Sequence, residues 1–215
     1  MGINMGIRER KQREKEQRRK EIMDAAKVVF SAKGFNRSTM EEIATEAELS
    51  PGTLYLYFKN KEELHTSLSI DILGYLTSQI NEFVLKKDMN AEQKLAALRD
   101  AFIGVYDYDP SMLISLFHLQ SGETLRNLSG NVLEQLKKAS REALTAIKSI
   151  VQEGIDQEIF IKKHPVALAD ILWATYSGVV LWVDSKRLLN NEKDFVRQTL
   201  KTAFEIIDKG LKLNS

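Results

Sequence analysis

Residues 39–61 read Thr39-MEEIATEAELSPGTLYLYFKN-Lys61, two short helical segments joined by a turn. Thr39-Met40-Glu41-Glu42 fits a capping box, with Thr39 as N-cap and Glu42 reaching back to it; Ser38 with Glu41 is the alternative register. The helix that follows, Met40–Ala47, turns Met40, Ile43, Ala44 and Ala47 inward. Glu48-Leu49-Ser50 forms the turn. A second helix, Pro51–Phe58, starts with Ser50 as N-cap and Pro51 at the first helical position, where its missing N–H is harmless. This spacing predicts a helix-turn-helix whose second helix is short enough to lie in a major groove of DNA.

Outward from this stretch the chain is helical in period nearly throughout. A first helix runs from a basic segment to about Lys33, with Ile22, Ala26, Val29 and Phe30 on one face and Gly34 as its C-terminal cap. Asn60 caps a long helix, Lys61 to about Lys87. Further helices are expected at about Ala91–Tyr106, Pro110–Gln120, Leu125–Gln157, Pro165–Lys186 and Glu192–Leu211. Pro51, Pro110 and Pro165 each open one. Long helices with short connections predict an all-α bundle of about nine helices.

Composition narrows the function. The 215 residues contain no Cys, which excludes disulfides, zinc ribbons, iron–sulfur clusters and a thiol nucleophile. Eleven Gly and three Pro are few for a chain of this length and argue against turn-rich β folds. The net charge is +1, but residues 1–20 hold eight basic side chains against three acidic ones, so the remainder is net acidic. A basic end on an acidic body fits a polyanion partner, with a solvated or frayed helical tail as the plain alternative. The longest uncharged stretch, Ile171–Val183, has 13 residues, too short to span a bilayer. With no apolar leader, a cytoplasmic protein without a membrane partner is expected.

Several residues of the second helix suit contact with DNA. Ser50 and Pro51 leave backbone N–H groups that favour a phosphate. Gly52 has no side chain to hold the backbone away, and Thr53 offers a hydroxyl and a methyl to a base edge. Tyr55 and Tyr57 present hydroxyls to phosphates, Tyr55 with packing as its alternative, and Lys61 adds a cation on the same side. Leu54 and Phe58 are assigned to the core. The basic tail either follows flanking phosphates or the minor groove, or is disordered away from DNA.

At this point Gly34-Phe35, Thr39, Ile43-Ala44, Ala47, Leu49-Ser50, the run Gly52–Phe58 and Lys61-Glu62-Glu63-Leu64 resemble the signature of TetR-family transcriptional regulators, over about residues 16–76. The resemblance implies a three-helix DNA-binding domain at residues 1–62, with the helix-turn-helix at about 39–58, and a larger ligand-binding and dimerisation bundle at 63–215. It places Thr39, Gly52, Thr53, Tyr55, Tyr57 and Lys61 at DNA-contacting positions. It also implies a homodimer paired through its last two helices, a near-palindromic double-stranded operator, and usually repression relieved by a small effector. Two departures stand out: Glu48 occupies a turn position that is usually Gly, and Tyr57 a position that is often His.

Elsewhere the signals are weaker. His65, His118 and His164 lie in no metal-ligand spacing, and Asp107, Asp109 and Glu123 fit ordinary capping, so neither metal, cofactor nor enzymatic chemistry is expected. Tyr75, Phe102, Tyr106, Met112, Phe117, His118, Trp173 and Tyr176 are candidates to line a pocket for a largely apolar effector, with plain core as the alternative. Val179, Trp182, Val183, Phe204, Ile207 and Leu211 are candidates for the dimer interface. A helical small-molecule binding or scaffolding protein whose helix-turn-helix no longer reads DNA is the alternative function.

Overall fold

The computed structural model describes residues 2–85, 88–121, 125, 128–190 and 193–213. Among the described residues there are nine α-helices and no strand: α1 (Gly2–Lys33), α2 (Met40–Glu46), α3 (Pro51–Tyr55), α4 (Lys61–Gln79), α5 (Ala91–Tyr108), α6 (Pro110–Ser121), α7 (Gly130–Asp156), α8 (Pro165–Asn190) and α9 (Val196–Leu211). Past Gln79 the chain widens into a π-helical turn, Ile80–Leu85, where a continuous α-helix was expected. Lys87, Glu123 and Glu192 lie outside the described residues. Helix α7 starts at Gly130, five residues later than the periodicity suggested, because Gly130 lies beyond the last irregular residues Leu128 and Ser129.

Two compact units result, Met1–Leu68 with Arg126–Val132, and Ser69–Leu125 with Leu133–Ser215. In the first, Ile22, Ala26, Ile43, Ala44, Leu54, Phe58, Leu64 and Leu68 form a core at 0–1% exposure. A leucine buried this completely contributes about 1.5–3 kcal/mol. Leu64, His65 and Leu68 of α4 belong to that core. The His65 ring lies against Phe30 and Phe35 at 5.4 and 4.6 Å between centroids. Burial pushes its pKa down to about 4, helped by the nearby Lys61 cation.

The second unit is built round aromatic side chains. Phe102 of α5 stacks on Tyr176 of α8 at 4.1 Å, and Phe117, Trp173 and Phe204 meet these rings edge-on. The Tyr176 hydroxyl donates to the Phe102 carbonyl at 2.8 Å, so the buried ring carries no unmet polar atom. Lys94 and Glu153 form an ion pair at 2.7 Å across α5 and α7. After α7, Ile161 N–H donates to Leu211 O and Leu213 N–H to Ile159 O, tying the chain's last turn to the α7–α8 loop. Phe160 on this loop covers Gly154, where a side chain would overlap the ring.

Helix α8 extends well beyond its uncharged run. Its segment Pro165–Arg187 is long and apolar enough by length and composition to cross a bilayer, although its uncharged run alone is not. Leu172, Tyr176, Val180 and Val183 on one of its faces are buried within the unit, as befits a core helix.

Candidate nucleic-acid interface

The first unit builds its helix-turn-helix from local signals. The capping box of α2 is formed as the sequence indicates: Thr39 Oγ1 accepts from Glu42 N–H and Thr39 N–H donates to Glu42 Oε2, both at 3.2 Å. Lys33 Nζ adds a 2.6 Å contact to Glu42 Oε1, which, ahead of the Thr39 bond, holds this carboxyl below the usual range. Helix α2 ends in a Schellman motif, with Leu49 N–H donating to Ala44 O at 2.8 Å and Glu48 N–H to Thr45 O at 3.1 Å. That closure needs a left-handed residue, and Glu48 takes φ 54°. The turn thus keeps the geometry that glycine serves, at a strain of about 1 kcal/mol.

Helix α3 is shorter than expected, ending at Tyr55, and Leu56 and Tyr57 continue as a tight turn closed by Leu56 N–H to Thr53 O and Tyr57 N–H to Leu54 O. Its N-terminus also differs from the expectation of several free N–H groups. Thr53 N–H is capped by Ser50 Oγ at 3.2 Å, and Leu54 N–H bonds Ser50 O, which leaves Gly52. The Ser50 and Thr53 hydroxyls bond each other at 2.9 Å, so one of the two donates within the chain.

Gly52 lies in the first turn of α3. It lacks a positive φ, it is exposed, and an added Cβ would meet only Ser50 Oγ at 4.0 Å. Tyr55 is 46% exposed and Tyr57 half-buried, and neither hydroxyl has a partner among the described residues. Leu54 and Phe58 are buried, as the period requires. Leu56 was not singled out from the sequence, yet at 80% exposure it is an uncovered leucine beside Tyr55 and Tyr57. Its position two residues from each of the buried Leu54 and Phe58 was the available signal.

Two cations hold this surface in place. Arg19 of α1 donates to Tyr57 O at 3.1 Å and to Ser67 Oγ at 2.7 Å, with its guanidinium 4.1 Å from the centre of the Phe58 ring. No sequence signal links residues so far apart. Lys61, expected as a DNA contact, is engaged within the domain. Its Nζ donates to Phe35 O at 2.7 Å and Ser38 O at 2.8 Å, lies 3.5 Å from Asn36 O, and sits 4.5 Å over the Phe35 ring. The ammonium closes the loop between α1 and α2, and no donor remains aimed outward for a phosphate.

In the second unit, the eight residues expected to line a pocket are mostly core. Phe102, Tyr106, Met112, Phe117 and Tyr176 are buried at 0–4% exposure, in mutual contact or closely packed. Trp173 is half-buried against three of these rings. Tyr106 donates its hydroxyl to Asp194 at 2.8 Å; burial, then that carboxylate, pushes its pKa up to about 12. Tyr75 stacks on the exposed Tyr108 at 4.3 Å. His118 is exposed on α6, not turned inward. A groove of about 560 Å³ lies elsewhere, between α7 and the start of α8, with Leu133, Leu136, Leu144 and Val166 as walls and Lys137, Arg141, Lys148 and Asp170 beside them. None of the eight residues lines it. The repeat of leucines and cations along α7 was its sequence signal.

The interface candidates divide similarly. Val183, Phe204 and Leu211 are buried in the protomer's own core at 1–5% exposure, so they are core residues. Val179 and Ile207 are half-buried, while Trp182 at 63% and the unexpected Ile206 at 66% face outward. The amphipathic stripe of α9 names the face that is buried inside the chain's own core, and Ile206 lies on the other one.

Comparison with known proteins agrees with this geometry. A profile of "Bacterial regulatory proteins, tetR family" matches residues 22–68, the span of the first unit's core. The chain is 27% identical over 195 residues to the fatty acid metabolism regulator protein of Bacillus subtilis, covering 89% of this chain and 94% of that protein. Among solved structures, the TetR family transcriptional regulator PfmR of Thermus thermophilus superposes with a TM-score of 0.72 at 16% identity, over 89% of this chain and 99% of the other. FadR of Bacillus subtilis in complex with stearoyl-CoA gives 0.70 at 24% identity, over 89% and 98%. A helix-turn-helix domain whose residues 22–68 match the TetR family, an all-helical body and a regulator relative matched over nearly its full length together make this chain a DNA-binding transcriptional regulator similar to that family.

Proposed function

We propose that the protein is a homodimeric, non-enzymatic repressor of the cytoplasm that leaves a near-palindromic operator when a small effector binds. Residues 1–62 are assigned to DNA and 63–215 to the effector and the partner protomer. Gly52, Thr53, Tyr55, Leu56 and Tyr57 approach the DNA, with Thr39 at the start of α2 and Ser50 at that of α3 flanking them. Two such surfaces, about 34–36 Å apart, read successive major grooves. The outward Trp182 and Ile206, with Val179 and Ile207, support pairing through α8 and α9.

The effector reading rests on the groove by α7. Leucine walls suit a long apolar chain, and Lys137, Arg141 and Lys148 suit an anionic head. A long-chain acyl thioester of coenzyme A has both parts, and the stearoyl-CoA complex of the Bacillus subtilis regulator supports that class. This adds an anionic head to the largely apolar effector expected from composition. Coupling of about 1–3 kcal/mol would weaken DNA binding about 5–150-fold.

The observation that carries the DNA reading is the helix-turn-helix of α2 and α3, with Gly52, Tyr55 and Leu56 exposed on its second helix and the turn after it. Gly52→Ala should leave the fold as stable or slightly more so, since alanine favours a helix by about 0.5–1 kcal/mol. The same change should weaken binding to the DNA upstream of the protein's own gene by tenfold or more. Unchanged affinity would favour a helical binding protein that no longer reads DNA. Titration with stearoyl-CoA, free stearate and coenzyme A then tests the effector: release by the thioester alone supports the class, and release by none overturns it.

A further inference from the structure

Helix α1 is far longer than its part in the core requires. Packing begins at Ile22, yet the helix extends back to Gly2, and residues 6–18 are exposed throughout. On the packed part, Ile22, Ala25 and Val29 repeat at intervals of three and four and are 0–8% exposed. The same register runs backward through Arg18, Lys15, Lys11 and Arg8. The line that faces the domain's interior therefore becomes a line of cations as it leaves the domain. Arg18 is paired with Glu21 at 2.7 Å, while Arg8, Lys11 and Lys15 have no ion pair among the described residues. Neighbouring acids are engaged off this line, Glu14 with Arg10 at 3.2 Å and Glu16 with Gln12 at 2.7 Å.

We infer that Arg8, Lys11 and Lys15 form a rail that lies on duplex DNA outside the bases read by α3. The inference rests on the DNA-binding reading above. Residues 8–18 contain no apolar side chain, so the segment offers no seam for a coiled coil and no face for a bilayer. Unpaired cations at helical spacing fit a polyanion. The domain end of the rail is fixed beside the recognition surface, because Arg19 holds the carbonyl of Tyr57. From Arg19 back to Arg8 the helix extends about 16 Å at 1.5 Å per residue, enough to pass beyond one groove to the neighbouring phosphates.

The test uses the full chain and a triple variant, Arg8→Gln, Lys11→Gln and Lys15→Gln. Binding to the upstream DNA is followed across a salt series, on a duplex trimmed to the palindrome and on one longer by about one helical turn, roughly 10 bp, at each end. The wild type should gain affinity on the longer duplex, and its log–log salt slope there should exceed the variant's by about 2.7 per protomer, three phosphates at about 0.9 each. The variant should gain nothing from added length while still preferring the upstream sequence. Equal slopes and equal length dependence overturn the rail, even where specific binding persists. Wild-type binding to phosphatidylglycerol vesicles with no effect of duplex length also overturns it, in favour of a membrane. Loss of sequence preference in both proteins, together with an inert Gly52→Ala, marks failure of the DNA reading itself.

Discussion

Lys61→Met separates two roles for one cation. The ammonium donates to Phe35 O and Ser38 O at 2.7 and 2.8 Å and sits over the Phe35 ring. Methionine keeps the stem and removes the donors. Hydrogen bonds to a charged group contribute about 1.5–3 kcal/mol each in buried settings, and a partly exposed cation–π contact about 0.5–1 kcal/mol. Because water can reach this half-buried loop, the sum is discounted to about 2 kcal/mol overall. For a chain of this size that lowers Tm by about 4–8 °C, read by circular dichroism at 222 nm. The salt slope of DNA binding should stay that of wild type, because no phosphate contact is lost. A variant of unchanged stability whose slope falls by about 0.9 per protomer would refute the assignment and restore Lys61 as a backbone contact.

Glu48→Gly relieves a left-handed glutamate and should raise stability by about 1 kcal/mol, seen as a higher urea midpoint at constant slope; a lower midpoint would mean that the glutamate side chain holds the turn. His65 has a folded pKa near 4 against about 6.5 unfolded, so the unfolded chain binds the proton first. Its contribution is complete above pH 6.5 and is lost as pH falls towards 4, about 2 kcal/mol between pH 7 and 5 at 1.36 kcal/mol per unit. His65→Leu should remove that dependence, and identical pH profiles for the two proteins would assign it elsewhere.

Much of the first unit was legible because its signals are local. Thr39 with Glu42, Gly34 as cap and Pro51 after Ser50 act within three or four residues, the range over which sequence and helix geometry are bound together. The role of Lys61 was not legible, since its acceptors lie on a loop more than twenty residues earlier and only the folded chain brings them to it. The second unit was harder for a different reason. Periodicity marks which side of α8 and α9 is apolar, but both a protomer's core and a partner can cover such a side. Val183, Phe204 and Leu211 proved to face inward, and Trp182 and Ile206 outward. The aromatic residues of α5, α6 and α8 fill space rather than enclose it, because Phe102 and Tyr176 stack directly. Composition records which rings are present and is blind to the distance between them.

The placement of the two tryptophans gives the protein a pair of independent optical reporters. Trp173 is half-buried against Phe102, Phe117 and Tyr176, whereas Trp182, nine residues along the same helix, is 63% exposed. Iodide should therefore quench Trp182 in a free protomer and leave most of the emission of Trp173. Burying the outer face of α8 would hide Trp182 from the quencher, and rearranging the aromatic interior would shift only the emission of Trp173. Assembly and internal change would then appear as separate spectral signals, without any attached dye.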